Sequence, residues 1–307
     1  MYTDTDSQAP APAGRTAFVL GGGGNLGGYE AGMLRALFEA GVRPDLVVGT
    51  SVGSIQGAIA AAHPGADALT VLDRLWSEFV AKKVMHTSAL GAISSIAHHH
   101  NHVASNEHLR ELLADIVGED TRIEDLKVPF QCVAACIERA SARYFDSGPL
   151  VPALLASCAV PGLWPPVEID GEHHYDGGLV ESIPVHRALA LGAETVYVLH
   201  VGRIEHQLTV PRSLWEVASV SFEISRRHGF ADAIAEAPPG VTLHVLPSGE
   251  DPHTPQHRKH HLSAAAELDE IRRRVESGYQ ATRAYLAEHV PTATVPAPTP
   301  ATVTAEA

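Results

Sequence analysis

Two apolar runs constrain the fold more than anything else in the chain. "TAFVL" (16–20) and "DLVVGTS" (45–51) each break on glycine, and each is followed by a stretch with helical spacing. Short continuous apolar runs closed by glycine turns read as strands buried on both faces. After the first, Ala31, Leu34, Leu37 and Phe38 fall on one face of a helix over about 27–41, which Gly41 would end. After the second, "GSIQGAIAAAH" (53–63) reads as a helix of small residues. Strand, loop, helix, repeated at once, points to a parallel sheet covered by helices.

The same alternation continues downstream. A helical stretch is expected near 66–80 and another over 105–117. "FQCVAACIE" (130–138) and "ARYFD" (142–146) read as strands, "LVPALLASCAV" (150–160) as a helix, and "PVEIDGEHHYDGG" (166–178) as a hairpin closing on a loop. "IPVHRALALG" (183–192) reads as a helix, "TVYVLHV" (195–201) and "TLHVLP" (242–247) as strands, and 262–288 as a charged helix. The expectation is one α/β domain over 15–290 with a mostly parallel central sheet. The Pro/Ala/Thr-rich ends, 1–14 and 291–307, are expected to be disordered.

Composition narrows the function. The 307 residues carry a net charge of −14, from 36 acidic and 22 basic residues. Phosphate binding needs a basic surface, so a nucleic-acid role is disfavoured. The three cysteines, Cys132, Cys136 and Cys158, do not make a disulfide framework and read as buried free thiols, not as zinc ligands. The N-terminal stretch lacks the basic start and apolar core of a signal peptide, and no run approaches the ~18 apolar residues of a membrane span. A cytoplasmic protein, able to touch a membrane surface peripherally, is the expectation. No cofactor or metal is called for, and oligomeric state is left open.

The first glycine loop, "GGGGNLGG" (21–28), admits several uses. Gly22, Gly24 and Gly27 fit G-x-G-x-x-G between a strand and a helix, the context of dinucleotide binding. That use wants an acidic residue at the end of the second strand, yet Asp45 stands at its start. No Lys-Ser/Thr follows the loop, so it is not a P-loop. The rival use is an oxyanion hole, in which bare amides at a helix N-terminus receive developing negative charge.

"GTSVG" (49–53) favours the rival. It is G-x-S-x-G between a buried strand and a helix, which is the setting of a nucleophile elbow. Ser51 then sits on a tight turn that needs nearly bare neighbours, here Gly49 and Gly53. A serine nucleophile needs a base. Nineteen histidines leave a Ser-His-Asp triad open. The more specific candidate is Asp176 in "DGG" (176–178), an aspartate beside Gly177 and Gly178.

These blocks, "GGGGNLGGYEAGML", "GTSVG" and "DGG", occur in an order that resembles the patatin-like phospholipases. The segment 156–199 is similar to that family's third block throughout, and the resemblance covers roughly Thr16 to Val201. It implies a three-layer α/β fold and a Ser–Asp dyad without histidine. Ser51 would be the nucleophile, Asp176 the base, and Gly22, Gly23 and Gly24 the oxyanion amides. The reaction would be hydrolysis of fatty-acyl esters of lipids through an acyl-serine. The chain departs from much of that family at Leu26, where Arg or Lys is common; a weaker preference for anionic head groups would follow. A carboxylesterase or thioesterase on small soluble esters, and a lipid-binding regulatory protein with a weakened site, are the alternatives.

Four other features have two uses each. "HHHNH" (98–102) is a solvated loop, a metal site or part of a lid. "PGLWPP" (161–166) packs the core or walls an acyl pocket. Trp215, Phe222 and Phe230 in "SLWEVASVSFEISRRHGF" (213–230) pack inward or touch a membrane. The arginines of "EIRRRVES" (270–277) form a solvated face or meet lipid phosphates.

Overall fold

A computed structural model describes residues 14–84, 102, 104–201, 207–212, 214–250 and 263–290. Along the chain run β1 (Thr16–Leu20), α1 (Gly28–Glu39), β2 (Leu46–Thr50), α2 (Val52–Ala62), α3 (Asp67–Ala81), α4 (Glu107–Val117), β3 (Phe130–Cys136) and β4 (Ser141–Phe145). There follow α5 (Leu150–Cys158), β5 (Val167–Ile169), β6 (Glu172–Asp176), α6 (Val185–Ala190), β7 (Thr195–Leu199), α7 (Leu214–Ala235), β8 (Thr242–Val245) and α8 (Ala264–His289). The tails expected over 1–14 and 291–307 lie outside the described residues but for Gly14, and so does "HHHNH" apart from His102.

The strands form one eight-stranded sheet. Its centre is parallel: β1 pairs with β2 and β7, β2 with β3, and β7 with β8. The antiparallel part is β4 and β6 on β3, and β5 on β6. The mostly parallel α/β expectation holds. Alternate residues of each strand feed a core on either face. Phe18, Leu20 and Val47 point into one cluster with α1, α2, α3, α4, α5 and α8. Ala17, Val19, Leu46 and Val48 point into the other, with Val185 and Ala188 of α6 and Phe230 and Ala233 of α7. Helices on both faces give three layers, and a strand buried on both sides has no polar face to show, which is why the runs are continuously apolar.

Two features position the site. The first is the junction on β3. β4 lies along Cys132–Cys136, so β2 and β6 must share the other edge of that strand. β2 covers it up to Thr50 opposite Val133, and β6 arrives from the other direction with Asp176 opposite Ala134. The two strands therefore meet end to end, which brings the residue after Thr50 to Asp176. The second is α8, which packs along α1 so closely that a Cβ on Gly32 would lie 2.0 Å from the Val275 carbonyl oxygen, and one on Gly278 would lie 2.3 Å from that of Tyr29. Only glycine at those crossing points allows the two backbones to approach that far.

Candidate active site

Ser51 occupies the turn between β2 and α2. Its φ of 55° and ψ of −129° put a non-glycine residue in a left-handed, strained conformation. A Cβ on Gly53 would sit 2.5 Å from the carbonyl oxygens of Leu20 and Gly21, and one on Gly49 would sit 2.5 Å from that of Gly53. These are the bare neighbours that the tight turn demands. The elbow is pinned from below: the Ser51 N–H donates to Ser157 Oγ of α5 (3.0 Å), and the Ser54 hydroxyl donates to the Ser51 carbonyl (2.6 Å). Ser54 is a buried helix residue and makes no second nucleophile.

The Ser51 hydroxyl donates to Asp176 Oδ2 at 2.8 Å. The other carboxylate oxygen, Oδ1, accepts the Gly178 N–H at 2.7 Å, at the head of the short turn Gly177–Leu179. Asp176 is 3% exposed. Burial pushes its carboxyl up to about 6, against the smaller opposing pull of the Gly178 amide and the Ser51 hydroxyl. Among the described residues the hydroxyl is thus hydrogen-bonded to a carboxylate and not to an imidazole. The two buried histidines among the described residues make no hydrogen bond to this pair: His200 lies against Phe230, and His174 packs edge-on to Phe145.

The glycine loop lies against this pair. A Cβ on Gly22 would be 3.3 Å from Ser51 Cβ. The Gly22 N–H, however, donates to the Ser182 carbonyl (2.8 Å), and the Gly21 N–H serves the Leu199 carbonyl and Glu30 Oε1, both at 2.9 Å. The expectation of three oxyanion amides therefore narrows. Gly22 ties the loop to the segment after Asp176, and the amides of Gly23 and Gly24 are the ones with no acceptor among the described residues. Gly27, the last glycine of G-x-G-x-x-G, packs where a Cβ would meet Val52, Gln56 and Trp76. The α2 N-terminus adds its partial positive charge beneath the serine.

Several supports were not legible as functional residues. Glu30 is fully buried on α1, accepts from Gly21 and takes the Gln56 side-chain amide at 2.9 Å, while the same amide nitrogen also donates to the Gly27 carbonyl. Burial drives its carboxyl well above the ordinary carboxylate range. A lone glutamate in the apolar run "GGYEAGML" was the available signal. Glu181 holds the far side: its carbonyl accepts the Thr50 hydroxyl (2.8 Å) and its carboxylate the Tyr144 hydroxyl (2.6 Å). Arg274 of α8 donates to the Asn25 carbonyl of the glycine loop at 2.8 Å. Cys136, Glu172 and His174 place ligand-type atoms within 4.8 Å of one another, but Glu172 is held by Arg139 at 2.6 Å.

A model of the patatin-like phospholipase family matches residues 18–189. The chain belongs to that family. Patatin-like phospholipase domain-containing protein 7 of Rattus norvegicus is 31% identical over 196 residues, 63% of this chain and 14% of that protein. Protein 6 of the same name from Homo sapiens is 32% identical over 204 residues, 66% of this chain and 14% of that protein. Lysophospholipase nte1 of Aspergillus niger is 32% identical over 192 residues, 61% and 12%. The chain thus matches only a small part of each relative's length. Among solved structures, VipD from Legionella pneumophila aligns over 91% of this chain and 68% of that one, at 16% identity and a TM-score of 0.47.

Within this patatin-like chain the remaining sequence features find their places. Leu26, the departure from the family's cationic loop, is half-buried and packs on the core. Leu163 and Trp164 of "PGLWPP" are buried in the main core. Phe230 is buried against the sheet and Phe222 is half-buried, while nothing is described of the Trp215 side chain. Arg272 and Arg273 are solvated, whereas Arg274 turns in to the glycine loop. Among the described residues no helix is long and apolar enough to cross a membrane.

Proposed function

We propose that this chain is a serine acyl hydrolase acting on fatty-acyl esters of lipids, with Ser51 as nucleophile and Asp176 as its general base. The carrying observation is the 2.8 Å hydrogen bond from the Ser51 hydroxyl to the buried Asp176 carboxylate, made across a strained elbow. The membership of the patatin-like phospholipase family supports the substrate class. In the first step Ser51 Oγ attacks the ester carbonyl carbon as its proton passes to Asp176 Oδ2. The carbonyl oxygen, now an oxyanion, takes hydrogen bonds from the Gly23 and Gly24 amides. Donors of this kind are worth about 3–4 kcal/mol each by typical mutagenesis. Collapse expels the alcohol, which takes its proton from Asp176, and leaves an acyl-Ser51. Water then attacks the acyl carbon, giving one proton to Asp176, which returns it to Ser51 Oγ as the fatty acid leaves.

A carboxyl held near 6 suits this work. It is mostly ionised at neutral pH, yet basic enough to share a hydroxyl proton in the transition state. The working location we propose is the cytoplasm, with the protein reaching lipid from the aqueous side. Hydrolysis of an ester panel, from short p-nitrophenyl esters to long-chain lysophospholipids and phospholipids, tests the assignment. Wild type should cleave long chains preferentially, and Ser51→Ala and Asp176→Asn should each lose at least about 1000-fold in kcat. Activity that survives Ser51→Ala removes the mechanism. Short esters cleaved with no long-chain preference favour a soluble carboxylesterase.

A further inference from the structure

We propose that Cys136, His174 and Glu172 form a zinc-type metal site on the antiparallel edge of the sheet, stapling β6 to β3 two residues before Asp176. Such a site is independent of the hydrolase reading. The strand register brings the three residues together. Glu172 and His174 stand two apart on β6, so their side chains leave the same face. Cys136 is the register partner of His174 on β3. Residues directly opposite in an antiparallel pair share a face, so the thiol joins the carboxylate and the imidazole there. One ligand-type atom from each lies within 4.8 Å of those of the other two.

His174 supplies the observation that points to an ion. Its side chain is buried, 1% exposed, and its Nε2 has no hydrogen-bond partner. Buried polar atoms are seldom left so. Its Nδ1 faces the Val167 carbonyl of β5, 3.4 Å away. A carbonyl only accepts, so Nδ1 carries the ring proton and Nε2 keeps its lone pair. β5 and β3 flank β6 on opposite sides, so the nitrogen turned away from β5 is turned toward Cys136. An imidazole held through one nitrogen by a backbone carbonyl, with the other nitrogen bare, has the arrangement of a metal-ligating histidine.

The donor set selects the ion. A thiolate, a neutral imidazole and a carboxylate together carry two negative charges, which a divalent cation balances. Sulfur with nitrogen favours zinc over magnesium or calcium. In a tetrahedral zinc site neighbouring donors stand about 3.4–3.6 Å apart, so each side chain here moves by about 1 Å or less to close on an ion, and water takes the fourth position. Arg139 holds Glu172 through Oε1 at 2.6 Å, while Glu172 Oε2 makes no hydrogen bond among the described residues. The Arg139 side chain is 59% exposed and free to swing into solvent. The Cys136 thiol donates to Glu138 Oε2 at 3.8 Å. Binding replaces that thiol proton with the ion and releases it to solvent. Cys136 thus departs from the expectation of a plain buried thiol, which Cys132 and Cys158 keep.

The test takes the untagged full chain, stripped with a chelator under reducing conditions, and titrates it with Co²⁺ in place of zinc. Thiolate ligation gives a strong near-ultraviolet charge-transfer band that binding by histidines alone lacks. Wild type should develop the band with one equivalent and lose it when Zn²⁺ displaces the cobalt. Cys136→Ser should abolish the band. His174→Ala should weaken Co²⁺ binding at least about 100-fold, beyond the loss usual for an outer-shell partner. Arg139→Ala, which releases Glu172, should tighten binding about two- to fivefold, the value of an exposed ion pair. Zn²⁺ should raise the Tm of wild type and leave that of Cys136→Ser where it was. If circular dichroism shows that Cys136→Ser does not fold, Glu172→Gln takes its place and should bind Co²⁺ at least about tenfold more weakly. A wild type that binds Co²⁺ without the charge-transfer band, or not at all, overturns the proposal. So does a band that survives in Cys136→Ser, or an affinity that His174→Ala leaves unchanged.

Discussion

Asp176 carries the sharpest consequences at the scale of single residues. As a base it must be ionised, so kcat/KM on a soluble ester should climb with pH through about 6 and then level off. A profile controlled by an imidazole would not disappear in Asp176→Asn and survive in single histidine variants. The same carboxyl has a stability consequence of opposite sense. Its folded pKa of about 6 lies above the ordinary value of 3.8, so the native state holds the proton more tightly. That contribution is full below about pH 4 and is lost as pH rises through about 6. Asp176→Asn removes the buried charge, and thermal melting at pH 8 should show a Tm a few degrees higher than wild type. A lower Tm would mean that the carboxylate is stabilised there by more than its two hydrogen bonds. Both members of the hydrogen-bonded pair stood out in sequence because sterics dictate their spelling: a serine between glycines and an aspartate before them. Glu30 was not, since nothing in "YEAGML" says that its carboxylate will meet the Gly21 amide nine residues back. Gly22 was read correctly as part of the loop but not as a donor to Ser182, a partner fixed only by the tertiary fold.

Elements explain why residues 125 apart can share a proton. The strands were readable from their apolar runs, and so was the parallel centre of the sheet. What the runs did not carry was that β2 and β6 divide one edge of β3 between them, because register depends on partners far away in the chain. The role of α8 was hidden for the same reason. Its charge pattern reads as a solvated face, yet Arg274 crosses to Asn25, 249 residues earlier. Arg274 holds the turn that follows Gly24, whose amide is a proposed oxyanion donor. We expect Arg274→Ala to lower kcat about three- to tenfold with KM little changed, the ordinary net value of one solvent-exposed hydrogen bond. Added guanidinium should restore part of the rate. A rise in KM with kcat unchanged would instead place Arg274 in substrate binding.

At the scale of the whole molecule, the family match ends at residue 189, but the structure does not. β7 is a central strand, paired with β1 on one side and β8 on the other, and α8 covers α1. A fragment ending after residue 190 would leave β1 with an open edge and strip the cover from Tyr29 and Gly32. Such a fragment should show no cooperative thermal transition by circular dichroism, whereas residues 14–290 should melt as a single unit. A sharp transition in the short fragment would show that the later elements are additions to a complete domain.

Activation of Ser51 by Asp176 can be read directly by labelling with a fluorophosphonate and mapping the adduct by mass spectrometry. One phosphonyl group per chain is expected, on Ser51, formed faster as pH rises through about 6 and nearly abolished in Asp176→Asn. An adduct on another serine, or labelling of Ser51 that is as fast in Asp176→Asn as in wild type, would contradict it.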